Sequence, residues 1–102
     1  MAWMKVADLH EIPRLGSRVL NTENGAIAIF RSSDDQVFAV EDRCPHKNGV
    51  LSQGIVHGCK VTCPLHSWVI ELETGEAVAP DKGCVKKFAV KVESTEVYLD
   101  LP

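Results

Sequence analysis

Short runs in which hydrophobic and polar residues alternate recur along the chain, and turn-forming residues separate them. The clearest run spans residues 86–101, where Phe88, Val90 and Val92 alternate with small or charged residues and the alternation resumes after residues 94–95. A period of two places every second side chain on the same face of a β-strand. The segment therefore predicts a β-hairpin with one buried face and one solvated face.

The same pattern predicts three more strands. Residues 26–31 and 36–41 form two apolar runs joined by a turn rich in Ser and Asp. Residues 68–72 form a third run, which ends at the turn sequence Glu-Thr-Gly-Glu, 73–76. Only residues 8–13 favour a helix, and they are long enough for a single turn. We therefore expect an all-β fold.

The segment from residue 43 to about residue 84 differs in composition from the rest of the chain. It is rich in Gly, Pro, Cys and His, whereas the segments on either side carry the predicted hairpins. The chain has no internal repeat and no linker, and its length suits one modest hydrophobic core. We expect a single domain, residues 1–102, in which a ligand-bearing insertion at about 43–84 interrupts a β framework.

Composition and charge narrow the classes of function. The formal net charge of -3, without a run of Lys or Arg, argues against binding to nucleic acid. No apolar run is long enough to span a bilayer, and the first residues lack the apolar region of a signal peptide. We therefore expect no membrane association and a cytoplasmic location. In that reducing compartment, metal ligation explains the four cysteines better than two disulfides do.

Two loops concentrate the soft metal ligands of the chain. The first reads Cys-Pro-His-Lys-Asn-Gly at 44–49, and the second reads Cys-Pro-Leu-His-Ser-Trp at 63–68. Each cysteine is followed by a proline, which restricts the local backbone. The candidate ligands are one Cys and one His from each loop, namely Cys44, His46, Cys63 and His66.

Three kinds of site use cysteine and histidine together. A structural zinc site usually begins with two closely spaced cysteines and ends with two closely spaced histidines, whereas both pairs here are mixed. A catalytic Cys–His pair would not explain why the pairing occurs twice. A [2Fe–2S] cluster held by two thiolates on one iron and two imidazoles on the other requires two mixed pairs. The spacing therefore favours the iron–sulfur cluster over zinc and over nucleophilic catalysis.

The two loops resemble the signature of the Rieske iron–sulfur family, in which C-x-H is followed by C-x-x-H. The resemblance implies that Cys44 and Cys63 bind the inner iron and that His46 and His66 bind the outer iron of one [2Fe–2S] cluster per chain. It also implies the Rieske-type fold, an antiparallel β-sandwich with a small inserted cluster-binding subdomain. The insertion inferred at 43–84 fits that fold.

Within the Rieske family, residues 63–93 resemble most the small subunit of assimilatory NAD(P)H-dependent nitrite reductase. The most discriminating piece is Asp-Lys-Gly-Cys-Val at 81–85. This resemblance implies an electron-transfer subunit without a substrate site of its own. Its partner would be a large subunit that carries FAD and sirohaem and reduces nitrite to ammonium. The alternative is the ferredoxin component of a ring-hydroxylating dioxygenase.

The same resemblance bears on the reduction potential. Respiratory Rieske proteins brace the two loops with an extra cysteine pair, and this chain has Gly49 and Leu65 at those positions. Respiratory members also place Ser and Tyr hydroxyls near the cluster, where this chain has Trp68 and Ile70. Fewer hydrogen bonds to the cluster stabilise an added electron less. We therefore expect a potential near the low end of the Rieske range of about −150 to +300 mV.

The remaining cysteines and histidines have simpler interpretations. The four-ligand set is complete without Cys59 and Cys84, so we expect both to be buried or idle thiols. His10 and His57 lie in short polar or Gly-flanked turns and are expected to be solvated.

Overall fold

The computed structural model describes residues 2–23, 25–44, 49–64, 68–78 and 82–101, and within these ranges ten strands form three antiparallel sheets. In chain order the strands are β1 (Ala2–Asp8), β2 (Gly16–Thr22), β3 (Gly25–Arg31), β4 (Val37–Glu41), β5 (Ile55–His57), β6 (Lys60–Thr62), β7 (Val69–Glu71), β8 (Lys87–Phe88), β9 (Val90–Glu93) and β10 (Glu96–Leu101). Sheet A has the order β1-β10-β9, sheet B the order β2-β3-β4-β8, and sheet C the order β5-β6-β7. The predicted all-β, antiparallel fold is therefore confirmed.

Strand β3 lies between two hydrophobic cores. Ile27 and Ile29 contribute to one core, which also contains Val97 and Leu99 of sheet A. Ala28 and Phe30 contribute to the other core, which contains the buried residues of sheet C. Because adjacent side chains of a strand point to opposite faces, a continuous apolar run is what a strand covered on both faces requires. The structure therefore has three layers, with sheet B in the middle.

Sheet C is built entirely from residues that lie between two neighbouring strands of sheet B. Strands β4 and β8 pair directly, with Ala39 opposite Phe88 and Val40 opposite Lys87. The chain between them also contains a 3₁₀ turn at Leu51–Gln53. A second 3₁₀ turn, Leu9–Glu11, falls within the short helical segment predicted at 8–13. None of the helical segments in the described ranges has the length and hydrophobicity of a membrane span.

The strands predicted from alternation are largely confirmed. Strands β3 and β4 match the predicted runs at 26–31 and 36–41, and β9 and β10 form the predicted hairpin. The hairpin prediction needs two corrections. The predicted strand is interrupted at Ala89, where the chain passes from β8 in sheet B to β9 in sheet A. Val92, predicted on the buried face, is 39% exposed because β9 is the edge strand of sheet A.

The turn between β3 and β4 carries an ion-pair network that ties the first 3₁₀ turn to sheet B. Asp35 has a left-handed backbone with a φ of 66°, and its Oδ1 accepts hydrogen bonds from Arg14 Nε at 3.0 Å and Arg31 Nε at 2.9 Å. Arg31 Nη1 also donates to the carbonyl oxygens of Leu9 and Ile12, at 3.1 and 2.9 Å. The hydrogen bonds from Arg14 and Arg31 lower the pKa of Asp35 from 3.8 to about 2.

We predict that Asp35→Asn removes stability that depends on pH. A carboxyl group whose pKa is lowered by folding stabilises the native state above its unfolded pKa of 3.8. That contribution is lost as the pH falls towards about 2. The variant should therefore have a lower Tm than the wild type at pH 6, and the difference should shrink as the pH falls below about 4. Thermal unfolding followed by tryptophan fluorescence measures the Tm of both proteins at each pH. A Tm difference that stays constant with pH would contradict the stabilising role given to the ionised Asp35. Asn tolerates the left-handed backbone, so the turn itself should be preserved.

Candidate metal centre

The first cysteine loop begins directly after β4. The Cys44 backbone N–H donates a hydrogen bond to the carbonyl oxygen of Gly49 at 2.8 Å, which closes a six-residue loop at its base. The Cys44 side chain is only 1% exposed. The thiol is therefore held at a fixed point of the backbone and faces the protein interior.

The second cysteine loop has the same closure. The Cys63 N–H donates to the carbonyl oxygen of Trp68 at 2.6 Å, and the Cys63 side chain is also 1% exposed. This loop joins β6 to β7, whose last and first residues, Thr62 and Val69, are paired. In both sequence motifs, the N–H of the cysteine therefore donates to the carbonyl oxygen of the last residue, which brings the two ends of the motif together.

The structure brings the two predicted thiol ligands into one hydrophobic core. Cys44 and Cys63 belong to the same cluster of buried residues, together with Leu51, Val61 and Ile70. The other two predicted ligands, His46 and His66, lie outside the described residues. Within the described ranges, no three Cys, His, Asp or Glu side chains converge as a metal-binding group. The described part of the predicted site is therefore its pair of thiols.

The surroundings of this pair suit a metal cluster better than other cysteine chemistry. All four cysteines are described, and none of them forms a disulfide. A thiolate buried in a hydrophobic core is unfavourable unless a cation compensates its charge, and thiolates are the usual protein ligands of iron–sulfur clusters. Two buried thiols on backbone-fixed loops fit the thiolate half of a [2Fe–2S] site.

The other two cysteines lie outside this core. The Cys59 thiol is half-buried and donates to Gln36 Oε1 at 3.2 Å. Burial raises its pKa, and the negative charge of Glu73 raises it further. A raised pKa favours the protonated thiol, which is a poor ligand and a poor nucleophile. Cys84 is exposed on the surface and is not part of either hydrophobic core.

Histidines outside the two loops are exposed to solvent, as expected. His10 lies in the first 3₁₀ turn, and His57 ends β5. His57 Nε2 lies 2.7 Å from Thr62 Oγ1, which gives the ring a local hydrogen-bond partner on the adjacent strand. Both histidines therefore have surface positions.

Gly54 is a glycine of this region at which a close approach or a sharp turn of the backbone is expected. It follows the second 3₁₀ turn and donates its N–H to the Leu51 carbonyl at 2.9 Å. A Cβ atom at this position would collide with the backbone oxygen of Thr62 and lie 3.0 Å from Val61 Cγ2. The segment after the first cysteine loop thus packs directly against the strand that leads into Cys63. Only the folded backbone shows this approach, because a glycine after a helical turn is equally typical of an ordinary helix end.

Comparisons with known proteins agree on the type of domain, but the similar proteins belong to different enzyme systems. The family model for the Rieske-like [2Fe–2S] domain matches residues 2–100. The 3-phenylpropionate/cinnamic acid dioxygenase ferredoxin subunit of Photorhabdus laumondii is 34% identical over 101 residues, which cover 97% of this chain and 94% of that protein.

Two solved structures are similar over nearly the whole chain. One is a putative nitrite reductase NADPH (small subunit) oxidoreductase protein, with 25% identity and a TM-score of 0.87, covering 99% of this chain and 100% of that chain. The other comes from the complex of reduced oxygenase and oxidised ferredoxin in carbazole 1,9a-dioxygenase. It has 29% identity and a TM-score of 0.84, and it covers 95% of this chain and 100% of that chain.

We predict that Gly54→Ala disturbs the contact between the two cysteine-bearing segments. The φ of Gly54, -79°, is allowed for alanine, so the effect should be steric and should cost about 1–3 kcal/mol of unfolding free energy. It should also reduce the iron bound per chain. Gly58→Ala is the matched control. Gly58 has a φ of +58° and nothing within 4 Å of its Cβ position, so we expect only backbone strain of about 1 kcal/mol and no loss of iron. Urea unfolding and iron analysis test both variants, and equal iron contents would contradict the prediction.

Proposed function

The chain belongs to the Rieske-like [2Fe–2S] domain family, and we propose that it is the electron-transferring small subunit of an assimilatory nitrite reductase, which reduces nitrite to ammonium with NAD(P)H. As a member of this family, it is an iron–sulfur electron-transfer protein with one [2Fe–2S] cluster. The family match also replaces the zinc alternative considered from spacing alone.

We propose that Cys44 and Cys63 hold one iron and that His46 and His66 hold the other. The burial of both thiols in one core, each at the closed base of its loop, supports the first half of this assignment. The matching Cys-x-His and Cys-x-x-His spacing supports the second half. On this assignment, residues 43–84 act as the cluster-binding subdomain of a single Rieske domain.

When bound, the cluster takes up and releases one electron at a time. The residues of this chain fix its ligands and control its surroundings. The core around the two cysteines keeps water away from the thiolate side. Ile70, at a position where respiratory members carry a hydroxyl, is fully buried and offers no hydrogen bond from its side chain. We therefore propose a reduction potential near the low end of the Rieske range.

The observation that carries the nitrite reductase assignment is the segment from residue 63 to residue 93. Its most discriminating piece is residues 81–85, of which the structure describes 82–85. These residues lie against the turn after β7: the Ala77 N–H donates to the Gly83 carbonyl at 2.9 Å, and the Val85 N–H donates to the Gly75 carbonyl at 2.7 Å. The characteristic sequence is thus a fixed part of the surface next to sheet C. The similarity over nearly full length to a nitrite reductase small subunit supports the same assignment.

The second candidate is a ferredoxin that delivers electrons to the terminal oxygenase of a ring-hydroxylating dioxygenase. It is favoured by the curated relatives, among which a dioxygenase ferredoxin subunit reaches 34% identity over nearly the whole of both chains. Both candidates use the same cluster and differ in the protein that accepts or supplies the electron. The proposed partner is a large subunit with FAD and sirohaem, and the proposed location is the cytoplasm, where reduced thiols are maintained.

We predict that the reduced protein transfers its electron to a sirohaem nitrite reductase and not to an oxygenase. The large nitrite reductase subunit from the same organism and a terminal oxygenase should each be mixed anaerobically with the dithionite-reduced protein in a stopped-flow instrument. Rapid reoxidation by the nitrite reductase, together with copurification of the two chains, is expected. Reoxidation by the oxygenase alone would replace the proposal with the second candidate.

We also predict that His66→Cys lowers the midpoint potential or prevents cluster assembly. A thiolate in place of a neutral imidazole adds negative charge at its iron, which disfavours an added electron. A redox titration followed by electron paramagnetic resonance measures the shift against the wild type. His57→Cys is the control, because His57 is an exposed residue outside the two loops, and its potential should not change. A fully loaded His66→Cys protein with an unchanged potential would show that His66 is not a ligand.

A further inference from the structure

A bidentate contact joins the two ends of the segment that contains the first cysteine loop. Asp42 lies two residues before Cys44. Its Oδ1 accepts a hydrogen bond from the Ser52 backbone N–H at 2.6 Å, and its Oδ2 accepts one from the Ser52 hydroxyl at 2.7 Å. Both carboxylate oxygens therefore bind one residue on the far side of the loop. Hydrogen bonds to an ionised carboxylate are among the stronger ones in proteins.

Both ends of this segment are also attached to sheet B. The Asp42 N–H donates to the carbonyl oxygen of Ala26 at 3.0 Å. On the other side, the Ser52 carbonyl accepts a hydrogen bond from the hydroxyl of Ser17 at 2.7 Å. Ser17 belongs to β2 and is paired with Phe30 of β3, so it has a fixed position in the sheet. The contact between Asp42 and Ser52 is thus anchored to the framework.

The two cysteine loops differ in what supports them. The second loop closes a hairpin, in which the pairs between β6 and β7 continue up to the loop. The first loop leaves from β4 and returns through the 3₁₀ turn at Leu51–Gln53, and among the described residues no strand pairing joins its two ends. The hydrogen bonds of Asp42, Ser52 and Ser17 hold the ends of the first loop together, as strand pairing does for the second loop.

We infer that Asp42, Ser52 and Ser17 form a clamp that positions the first cysteine loop for the cluster. The clamp encloses the smaller closure between Cys44 and Gly49, so it fixes the point from which the Cys44 thiol projects. Asp42 is a positioning residue, because both of its carboxylate oxygens are bound to Ser52. This inference rests on the proposed role of Cys44 as an iron ligand.

Three substitutions separate the hydrogen bonds of the clamp from its charge. Asp42→Ala removes both bonds to Ser52. Asp42→Asn can keep both, since its amide oxygen can accept from the Ser52 N–H and its amide nitrogen can donate to the Ser52 hydroxyl. Ser17→Ala leaves the Asp42–Ser52 contact intact and removes only its anchor to β2.

The rate of cluster loss is the measurement that tests the clamp. The loaded protein is mixed with an iron chelator, and the decay of visible absorbance is followed together with the line width of the reduced protein in electron paramagnetic resonance. Asp42→Ala should lose the cluster about tenfold faster than the wild type, the scale typical of losing an outer-shell partner of a metal ligand. It should also show broader lines. The rate of cluster loss from Ser17→Ala should lie between the rates of the wild type and Asp42→Ala. The rate of Asp42→Asn should resemble that of the wild type.

Asp35→Asn is the matched control, because it also removes a hydrogen-bonded carboxylate from the framework but from the β3–β4 turn. Its rate of cluster loss should equal that of the wild type. Equal rates for Ser17→Ala and the wild type would overturn the clamp, as would equal acceleration by Asp35→Asn and Asp42→Ala. An Asp42→Asn protein as labile as Asp42→Ala would overturn it too. Iron and sulfide in Cys44→Ala, compared with the wild type, test the ligand assignment separately: an unchanged content would refute Cys44 as a ligand, so a failed clamp is distinguishable from a failed assignment.

Discussion

The burial of two cysteine thiols in one hydrophobic core is the constraint on which the rest of this structure depends. Each thiol lies on a loop that a backbone hydrogen bond of its cysteine closes. The Cys44 N–H donates to the Gly49 carbonyl, and the Cys63 N–H donates to the Trp68 carbonyl. On the proposed assignment, both cysteines bind one iron as thiolates, and the metal compensates the charge that burial would otherwise disfavour. The two closed loops would then give the family's iron–sulfur cluster a defined place.

The layered architecture follows from the need to hold these loops. Sheet B contributes β4, which leads into Cys44, and sheet C contributes β6, which leads into Cys63. The two sheets share the core that contains both thiols. The opposite face of sheet B packs on sheet A through Ile27 and Ile29. Sheet A therefore stabilises the sheet from which the first cysteine loop leaves. A densely packed core deforms little, so ligands projecting from it would move little when the proposed centre gains or loses an electron.

The sequence allowed much of the fold to be predicted, for physical reasons that differ between elements. Of the four candidate ligands, the structure describes Cys44 and Cys63 and places both in one hydrophobic core, while the ligand assignment itself stays a prediction. Alternation identified β9 and β10 because one face of that hairpin is buried. It missed β5 and β6, which have only three residues each, and it also missed β1 and β2, where few of the described side chains are buried and the alternation is therefore weak. The contact of Asp42 with Ser52 could not be predicted, because it joins residues across an irregular loop. The ligand spacing identified the cofactor but not the partner, since the same ligands serve both candidate partners.

The direct pairing of β4 with β8 has a consequence for how such proteins diversify. The two ends of the intervening segment lie on adjacent strands, so they are separated by roughly the 5 Å spacing of a β-ladder. A segment whose ends nearly meet can be exchanged, shortened or extended without changing the distance that the scaffold must bridge. Sequence changes in the segment are therefore compatible with the same framework as long as they preserve the core that sheet C shares with sheet B.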